Sequence, residues 1–169
     1  TIAPFVTMRC YEQIKIDLCG MRLPVTIIGS GPGFTYSSDG PTHHATQDVA
    51  IMRALPEMTI FNPADSATAA SVARMAYQSG GPVYVRIDKG ILPILYEDDD
   101  DFSAGLSLLK KGADLTIIAT GVMIEKAFKV AEKLAMNSID TGIVDIYRLK
   151  PINEELFLTI TEQTNRIVT

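Results

Sequence analysis

Both histidines of the chain lie side by side in one short segment that also carries a carboxylate and a Gly-Pro turn. The segment runs from Ser37 to His44 and follows a predicted strand at residues 25–28. In α/β proteins, ligands bind beyond the carboxyl ends of strands. Histidine can transfer protons near neutral pH, and a carboxylate can orient it or bind a sugar-like hydroxyl group. The segment is a candidate site for acid-base chemistry, and a surface turn with two solvated histidines explains the same composition equally well.

Two other kinds of site fit this region poorly. The glycines at 29, 31 and 33 follow a strand, but they lack the G-x-G-x-x-G spacing of a dinucleotide site, and no helix is predicted to start there. A metal site at His43 and His44 would need further ligands at workable spacing, and adjacent side chains of an extended segment point apart. We therefore predict neither a nucleotide site nor metal ligands in this chain.

The elements that must position this segment alternate between apolar β-rich runs and helical patterns. That alternation predicts an α/β fold with a mainly parallel sheet. Helices are predicted at residues 7–19, 47–55, 67–78, 122–136 and 153–162, and strands at 25–28, 58–61, 83–87, 115–119, 141–146 and 166–169. Thr7 is predicted to cap the first helix and Asp65 or Ser66 the third. The weak pattern between 88 and 114 indicates a connector, so we predict domains at 1–90 and 114–169 joined by residues 91–113.

Composition and charge exclude several classes of protein. The 169 residues are 47% hydrophobic and 21% charged, which is typical of a packed globular protein. The net charge of −5 equals the five acidic residues at 97–101, which we expect to form a solvated loop. No basic surface is predicted, so neither nucleic acid nor a membrane is an expected partner. Cys10 and Cys19 are predicted free thiols on opposite faces of one helix, and together with the lack of a signal peptide they favour a cytoplasmic location.

The segment Asp-Gly-Pro-Thr-His at 39–43 resembles the signature loop of the pyrimidine-binding domain of transketolases. Other pieces of the sequence agree in the same order along the chain. They are Arg9-Cys10-Tyr11-Glu12-Gln13-Ile14, residues 52–59, Asn62-Pro63-Ala64-Asp65, residues 81–86, Ala119-Thr120-Gly121 and Leu149-Lys150-Pro151-Ile152. The resemblance covers essentially the whole chain.

This resemblance implies a thiamine diphosphate enzyme that transfers a two-carbon ketol unit between sugars or sugar phosphates. It implies a three-layer α/β/α pyrimidine-binding domain followed by part of a smaller α/β C-terminal domain. The diphosphate-binding domain, with the Mg²⁺ ligands, is expected on a partner chain, in a homodimer or heterotetramer. Because the family glutamate that activates the cofactor would precede residue 1, we expect the chain alone to be inactive.

Site residues also follow from the resemblance, position by position. Phe5, with Ile2 and Met8, falls where the family packs aromatic side chains around the aminopyrimidine ring. His43 matches the histidine facing the cofactor and the substrate, and Asp39 matches the carboxylate that binds a sugar hydroxyl. Lys89 and Arg86 fall where basic groups bind the distal phosphate. Gly31 stands where many members carry a histidine, which implies a different sugar phosphate or an unphosphorylated substrate.

Three alternatives remain open at this point. Deoxyxylulose-phosphate synthase and the β subunit of 2-oxo acid dehydrogenases resemble transketolase in architecture and cofactor, but both release carbon dioxide. A non-catalytic scaffold or regulatory relative is the alternative of another class. The substitutions at positions 2, 8 and 31 favour it, and the retention of Phe5, Asp39 and His43 argues against it.

Overall fold

The described residues form two mixed β-sheets with associated helices, so the predicted α/β fold is confirmed. The structure, a computed structural model, describes residues 1–90, 92–97 and 99–169. The strands are β1 (Thr26–Ser30), β2 (Thr59–Phe61), β3 (Val83–Ile87), β4 (Ser107–Lys110), β5 (Leu115–Ala119), β6 (Thr141–Asp145), β7 (Arg148–Lys150) and β8 (Ile167–Val168). The helices are α1 (Ala3–Thr7), α2 (Tyr11–Gln13), α3 (Asp48–Arg53), α4 (Ser66–Gln78), α5 (Met123–Ala135) and α6 (Glu154–Thr161), with a π-helix at Ile14–Cys19 and a 3₁₀ turn at Ser37–Asp39.

The first sheet has the strand order β1-β3-β2-β7. β1 and β2 run parallel to the central β3, whereas β7 is antiparallel to β2. Val83, Tyr84 and Val85 are all buried, as expected for a central strand covered on both faces. Because β1 and β3 are parallel neighbours, the loops that follow them leave the same edge of the sheet, and the candidate site lies there.

The second sheet has the order β4-β6-β5-β8. Its central β6 is buried along its whole length and pairs in parallel with β5 and antiparallel with β4. β4 and β7 were not predicted, because runs of three or four residues are too short to show a period. β4 lies inside the segment predicted as a connector. After β6 of the second sheet the chain passes to β7 of the first sheet, and just before β7 the Tyr147 carbonyl accepts a hydrogen bond from Asn62 N at 2.8 Å.

The helix predicted over residues 7–19 is wrong in its extent. The chain instead forms α1, a break around Cys10, α2 and the π-helix. Pro4 favours a helix that begins before residue 7, because proline lacks a backbone N–H and the N–H groups of the first helical turn have no partner within the helix. Thr7 is not a cap, because it lies inside α1, where its hydroxyl donates to Ala3 O at 2.8 Å.

The later helices follow the sequence closely. Asp65 caps α4, as predicted, by accepting a hydrogen bond from Thr68 N at 2.8 Å. α5 buries Ile124, Ala127 and Ala131 against the second sheet, which is the spacing of one helical face. These packed helices fix the sheets from which the site loops emerge.

The acidic segment and the two cysteines are as the sequence predicts. Residues 97 and 99–101 of the acidic segment are exposed, as predicted, and Asp98 lies outside the described residues. Both cysteines are free thiols, Cys10 exposed and Cys19 buried, and burial raises the pKa of Cys19. Within the described ranges, no helix has the length and apolar character needed to cross a membrane.

Candidate functional site

The histidine segment belongs to a loop that two backbone hydrogen bonds close at its base. Gly33 N donates to Ala45 O and Ala45 N donates to Gly33 O, each at 2.9 Å. Ala45 is fully buried, which anchors this base to the protein. Gly40 adopts φ +81°, a backbone conformation open to glycine, and its carbonyl accepts a hydrogen bond from His43 N at 3.0 Å. The loop is therefore a compact, self-packed structure at the carboxyl end of β1.

His43 is the centre of a small aromatic cluster. Its ring lies edge-on to Phe5, with centroids 4.8 Å apart, and 6.3 Å from the ring of Tyr36. Thr42 Oγ1 lies 3.0 Å from His43 Nδ1, so this nitrogen is occupied by a hydrogen bond. His43 is only half-buried. The arrangement fixes the imidazole and leaves Nε2 as the nitrogen for a ligand.

Phe5 reaches His43 because the first residues of the chain run beside β1. Ile2 forms a parallel bridge with Ser30, and Phe5 N donates to Ile2 O at 3.0 Å as α1 begins. The guanidinium of Arg9 lies 3.9 Å from the centroid of the Phe5 ring. One face of the Phe5 ring is therefore covered by the guanidinium of Arg9. A ligand ring that stacks on Phe5 must pack against the opposite face or displace Arg9.

The two other residues assigned to the cofactor lie at opposite ends of α1. Ile2 is half-buried, and Met8 is 39% exposed. Neither residue is aromatic, so Phe5 carries the one aromatic ring among these three residues.

Lys89 reaches the same cluster from the carboxyl end of β3. Its Nζ lies 4.7 Å from the centroid of the Tyr36 ring. The preceding Asp88 accepts a hydrogen bond from Val122 N at 2.8 Å, at the start of α5, and thus ties this loop to the second sheet's helix. Tyr36 was missed by sequence reasoning. Its one signal is that it is aromatic and lies between Gly33 and His43 in the same loop.

Arg86 faces a different environment from Lys89. Its Nε donates to Asp48 Oδ2 at 2.9 Å, and the Tyr84 hydroxyl donates to the same oxygen at 2.8 Å. Asp48 is 1% exposed, so this is a buried ion pair. Burial, and next the charge of Asp48, raise the pKa of Tyr84. Arg86 is paired with Asp48, whereas Lys89 lies over the ring of Tyr36, so the two predicted phosphate-binding cations have different partners.

Asp39 and His44 lie on the outer part of the loop. Asp39 ends the 3₁₀ turn with an exposed side chain, and its backbone N donates to Tyr36 O at 3.1 Å. His44 packs on Phe34, with ring centroids 4.9 Å apart, and its Nε2 lies 3.4 Å from Ser37 O. Asp39 is accessible to a hydroxylated ligand, whereas His44 makes contacts within the loop.

The geometry suits one end of the cofactor that the resemblance implies. Phe5 and His43 touch, are half-buried and come from separate elements, so a flat ring on Phe5 would lie beside the imidazole. These residues fit the aminopyrimidine end of thiamine diphosphate. Among the described residues, no group of three or more His, Cys, Asp or Glu side chains could hold a metal ion.

A larger apolar groove lies elsewhere, on the second sheet. It has a volume of about 510 Å³ and is lined by Ile118, Met123, Val130 and Val168, among others. Lys126 is its one charged lining residue. A groove without a polar cluster offers no acid-base chemistry, so the cluster around His43 is kept as the candidate site.

Comparisons with known proteins identify the family of the chain. Residues 1–94 match the model of the transketolase pyrimidine-binding domain, and residues 105–169 match that of the transketolase C-terminal domain. The chain belongs to the transketolase family. It is 35% identical over 166 residues to the 6-deoxy-6-sulfo-D-fructose transketolase subunit SqwH of Clostridium sp. (strain MSTE9), covering 98% of this chain and 52% of that protein. The chain thus spans about half the length of this curated relative.

A solved structure of a split-gene transketolase, an inactive β4 tetramer, has the same fold. It superposes with a TM-score of 0.90 at 35% identity, covering 99% of this chain and 54% of the other. The chain is also 32% identical over 164 residues to 1-deoxy-D-xylulose-5-phosphate synthase of Heliobacterium modesticaldum (strain ATCC 51547 / Ice1), covering 95% of this chain and 25% of the synthase. Relatives therefore include both a transketolase subunit and a synthase.

Proposed function

We propose that this chain is part of a split, thiamine diphosphate-dependent transketolase that moves a two-carbon ketol unit from a ketose to an aldose. The observation that carries the proposal is the contact of Phe5 with His43, next to Lys89 and Tyr36, at the edge where β1 and β3 end. In this proposal residues 1–90 form the pyrimidine-binding domain, 91–113 the connector and 114–169 the C-terminal domain.

The cofactor, Phe5 and His43 have different roles in this proposal. Bound thiamine diphosphate supplies the electron sink for breaking the carbon–carbon bond. Phe5, flanked by Ile2 and Met8, packs against the aminopyrimidine ring and excludes water from one side. His43 uses Nε2 to hydrogen-bond the substrate oxygen on which charge develops and to move its proton, while Thr42 holds Nδ1.

The substrate is a ketose with an anionic end. Asp39 is exposed and accepts a hydrogen bond from a substrate hydroxyl, and Lys89 binds the terminal phosphate or sulfonate as a point charge. Arg86 acts less directly, since its guanidinium is paired with the buried Asp48. The sulfosugar named for the transketolase subunit of Clostridium supports an anionic end that need not be phosphate.

The remaining half of the site is supplied by another chain. In our proposal an N-terminal transketolase section binds the diphosphate and Mg²⁺, and the assembly is a homodimer or heterotetramer. One observation supports this arrangement: a relative 35% identical to this chain is named as a transketolase subunit. The 169 residues alone are accordingly expected to show no transfer.

A synthase of the deoxyxylulose-phosphate type is the second candidate, supported by the similarity over 164 residues. The two activities differ in their donor substrate. The synthase consumes pyruvate and releases carbon dioxide, whereas transketolase releases none.

The deciding experiment uses the full-length gene product, mixed with the diphosphate-binding chain encoded beside it, thiamine diphosphate and Mg²⁺. Ketose phosphates and 6-deoxy-6-sulfofructose serve as donors, with a short aldose phosphate as acceptor. We expect a new ketose two carbons longer than the acceptor and no carbon dioxide. Pyruvate-dependent carbon dioxide release, without ketol transfer, would replace the transketolase proposal with the synthase.

Lys89→Met tests the anionic end of the substrate. Loss of this cation should raise KM for phosphorylated or sulfonated ketoses and leave kcat near its starting value. Lys15→Met, at an exposed lysine of the π-helix, is the matched control and should change neither constant. An unchanged KM in Lys89→Met would remove Lys89 from the substrate site.

A further inference from the structure

Tyr36 occupies the middle of the site, although neither sequence motif nor family resemblance gave it a role. The ring centroid of His43 lies 6.3 Å from that of Tyr36, with the planes inclined at 62°, and Lys89 Nζ lies 4.7 Å from the same phenol ring. The imidazole of His43 and the ammonium of Lys89 therefore both neighbour one aromatic ring. A substrate with its reacting carbon at His43 and its anionic end at Lys89 has to pass along this ring.

Gly31 makes the position of Tyr36 possible. A Cβ atom at residue 31 would lie 2.2 Å from Tyr36 Cε2, far inside van der Waals contact. Gly31 also has φ +68°, which disfavours any side chain at this position. The phenol ring thus takes up the volume that a side chain at 31 would use, and the two residues form one steric unit.

Tyr36 also differs from a residue that serves only packing. It is half-buried, and the aromatic and cation contacts described for it are to His43 and Lys89. The loop that carries it is fixed independently, by the hydrogen bonds between Gly33 and Ala45 and by Thr35 Oγ1 donating to Pro32 O at 2.7 Å. Truncating the ring should therefore change the site more than the fold.

We propose that Tyr36, seated over Gly31, is a specificity-determining residue that limits the length of chain between the transferred ketol unit and the anionic end of the substrate. The inference rests on the proposed function, because it assumes that His43 and Lys89 bind the two ends of one substrate. The ring fills space that the extra carbons of a longer sugar would need, so the shorter ketose is favoured. Differences of one methylene commonly change kcat/KM by about 10 to 200-fold.

The test compares D-xylulose 5-phosphate with sedoheptulose 7-phosphate as donors, using the full-length product with its partner chain. The unmodified enzyme should prefer the five-carbon ketose. Tyr36→Ala should reduce the ratio of the two kcat/KM values by about tenfold or more, mainly by lowering KM for the seven-carbon ketose. Tyr36→Phe keeps the ring and should stay within about twofold of the unmodified ratio.

Gly31→Ala is the second variant, because its new Cβ has to displace Tyr36. It should lower the same ratio, and adding Tyr36→Ala to it should give little further change. If Tyr36 only supports the fold, Tyr36→Ala will lower kcat/KM for both sugars equally and leave the ratio intact. That result, or a preference of the unmodified enzyme for the longer sugar, would overturn the inference.

Calorimetric binding of the same two sugar phosphates separates this inference from the proposed function. If no ketol transfer occurs, the transketolase proposal fails, yet a Tyr36-dependent difference between the two dissociation constants would still support the inference. If the two constants are equal, or neither sugar phosphate binds, the inference fails as well.

Discussion

Polar side chains in two regions of this molecule are held in opposite ways. Around His43 the groups are half-exposed, and weak ring contacts position them. At the junction of the two sheets, Asp65 is 5% exposed and Asp145 is fully buried. Asp65 there accepts hydrogen bonds from three backbone N–H groups, of Thr68, Leu95 and Tyr96. The junction uses its polar groups to fix structure, whereas the site keeps atoms such as His43 Nε2 available to a ligand.

Asp145 shows what burial costs at the junction. The Tyr96 hydroxyl donates to its Oδ2 at 2.9 Å, but Oδ1 has no hydrogen-bond partner among the described residues. Burial, partly offset by the Tyr96 hydrogen bond, raises the pKa of Asp145 to about 7, and the nearby charge of Asp65 adds to the shift. A strongly shifted carboxyl often marks a catalytic site. Here it lies away from the His43 cluster, and the contacts point to a structural role.

The largest expected effect separates the two adjacent histidines. His43→Ala should lower kcat for ketol transfer by about 10² to 10⁴-fold without changing the melting temperature, since it removes a proton-transfer group from a half-exposed position. His44→Ala is the matched control and should stay near the unmodified rate, because His44 contacts Phe34 and Ser37 within the loop. Equal losses in both variants would show that the loop, rather than the imidazole of His43, carries the effect.

The next largest effect is expected at the buried ion pair of Arg86 with Asp48. Asp48→Ala leaves Arg86 without its partner and should lower the free energy of unfolding by about 3 to 5 kcal/mol in denaturant titrations. The Arg22–Glu57 pair, 3.2 Å apart and largely exposed, provides the comparison. Glu57→Ala should cost less than about 1 kcal/mol. If Asp48→Ala is as mild as Glu57→Ala, Arg86 is free to leave Asp48 and serve the substrate directly.

A pH series tests the buried carboxyl at the junction. The pKa of Asp145 is about 7 in the folded protein against 3.8 for the ordinary group, so the folded state keeps a proton that the unfolded state has lost. The contribution of Asp145 therefore lowers the free energy of unfolding as pH rises from about 4 to about 7, by at most about 1.4 kcal/mol per pH unit. Above about pH 7 this contribution no longer changes with pH.

Asp145→Asn removes this titration. The free energy of unfolding of Asp145→Asn, relative to that of the unmodified chain, should then increase as pH rises from about 4 to about 7. A pH profile identical to that of the unmodified chain would show that Asp145 titrates normally.

The smallest effect concerns the link between the two regions. Asp88 accepts the hydrogen bond of Val122 N and directly precedes Lys89. Asp88→Ala should cost about 1 kcal/mol of stability, as for loss of a helix cap, and should also raise KM for anionic ketoses, because Lys89 loses its support. Asp88→Asn retains an acceptor oxygen and should restore KM. A stability loss without a change in KM would limit Asp88 to a structural role.

The sequence predicted which loop carries the candidate site, but not the side-chain contacts within that site. The segment at 39–43 and Phe5 were proposed from the family resemblance, which depends on the order of residues along the chain. Tyr36 was not, since its place depends on the positive φ of Gly31 and on the reach of a ring across a loop. Two other contacts could not be predicted from local periodicity, because they join residues far apart in the sequence. They are the ion pair of Arg86 with Asp48 and the pairing of β7 with β2.

Calorimetric titration of thiamine diphosphate with Mg²⁺ tests the central claim most directly. The full-length product is measured alone and mixed with the diphosphate-binding chain, with Phe5→Ala as the variant. The account predicts tight binding only in the mixture, weakened by Phe5→Ala through loss of ring packing. Absence of binding in the mixture, or binding indifferent to Phe5→Ala, would contradict the claim that this chain provides the pyrimidine side of a shared cofactor site.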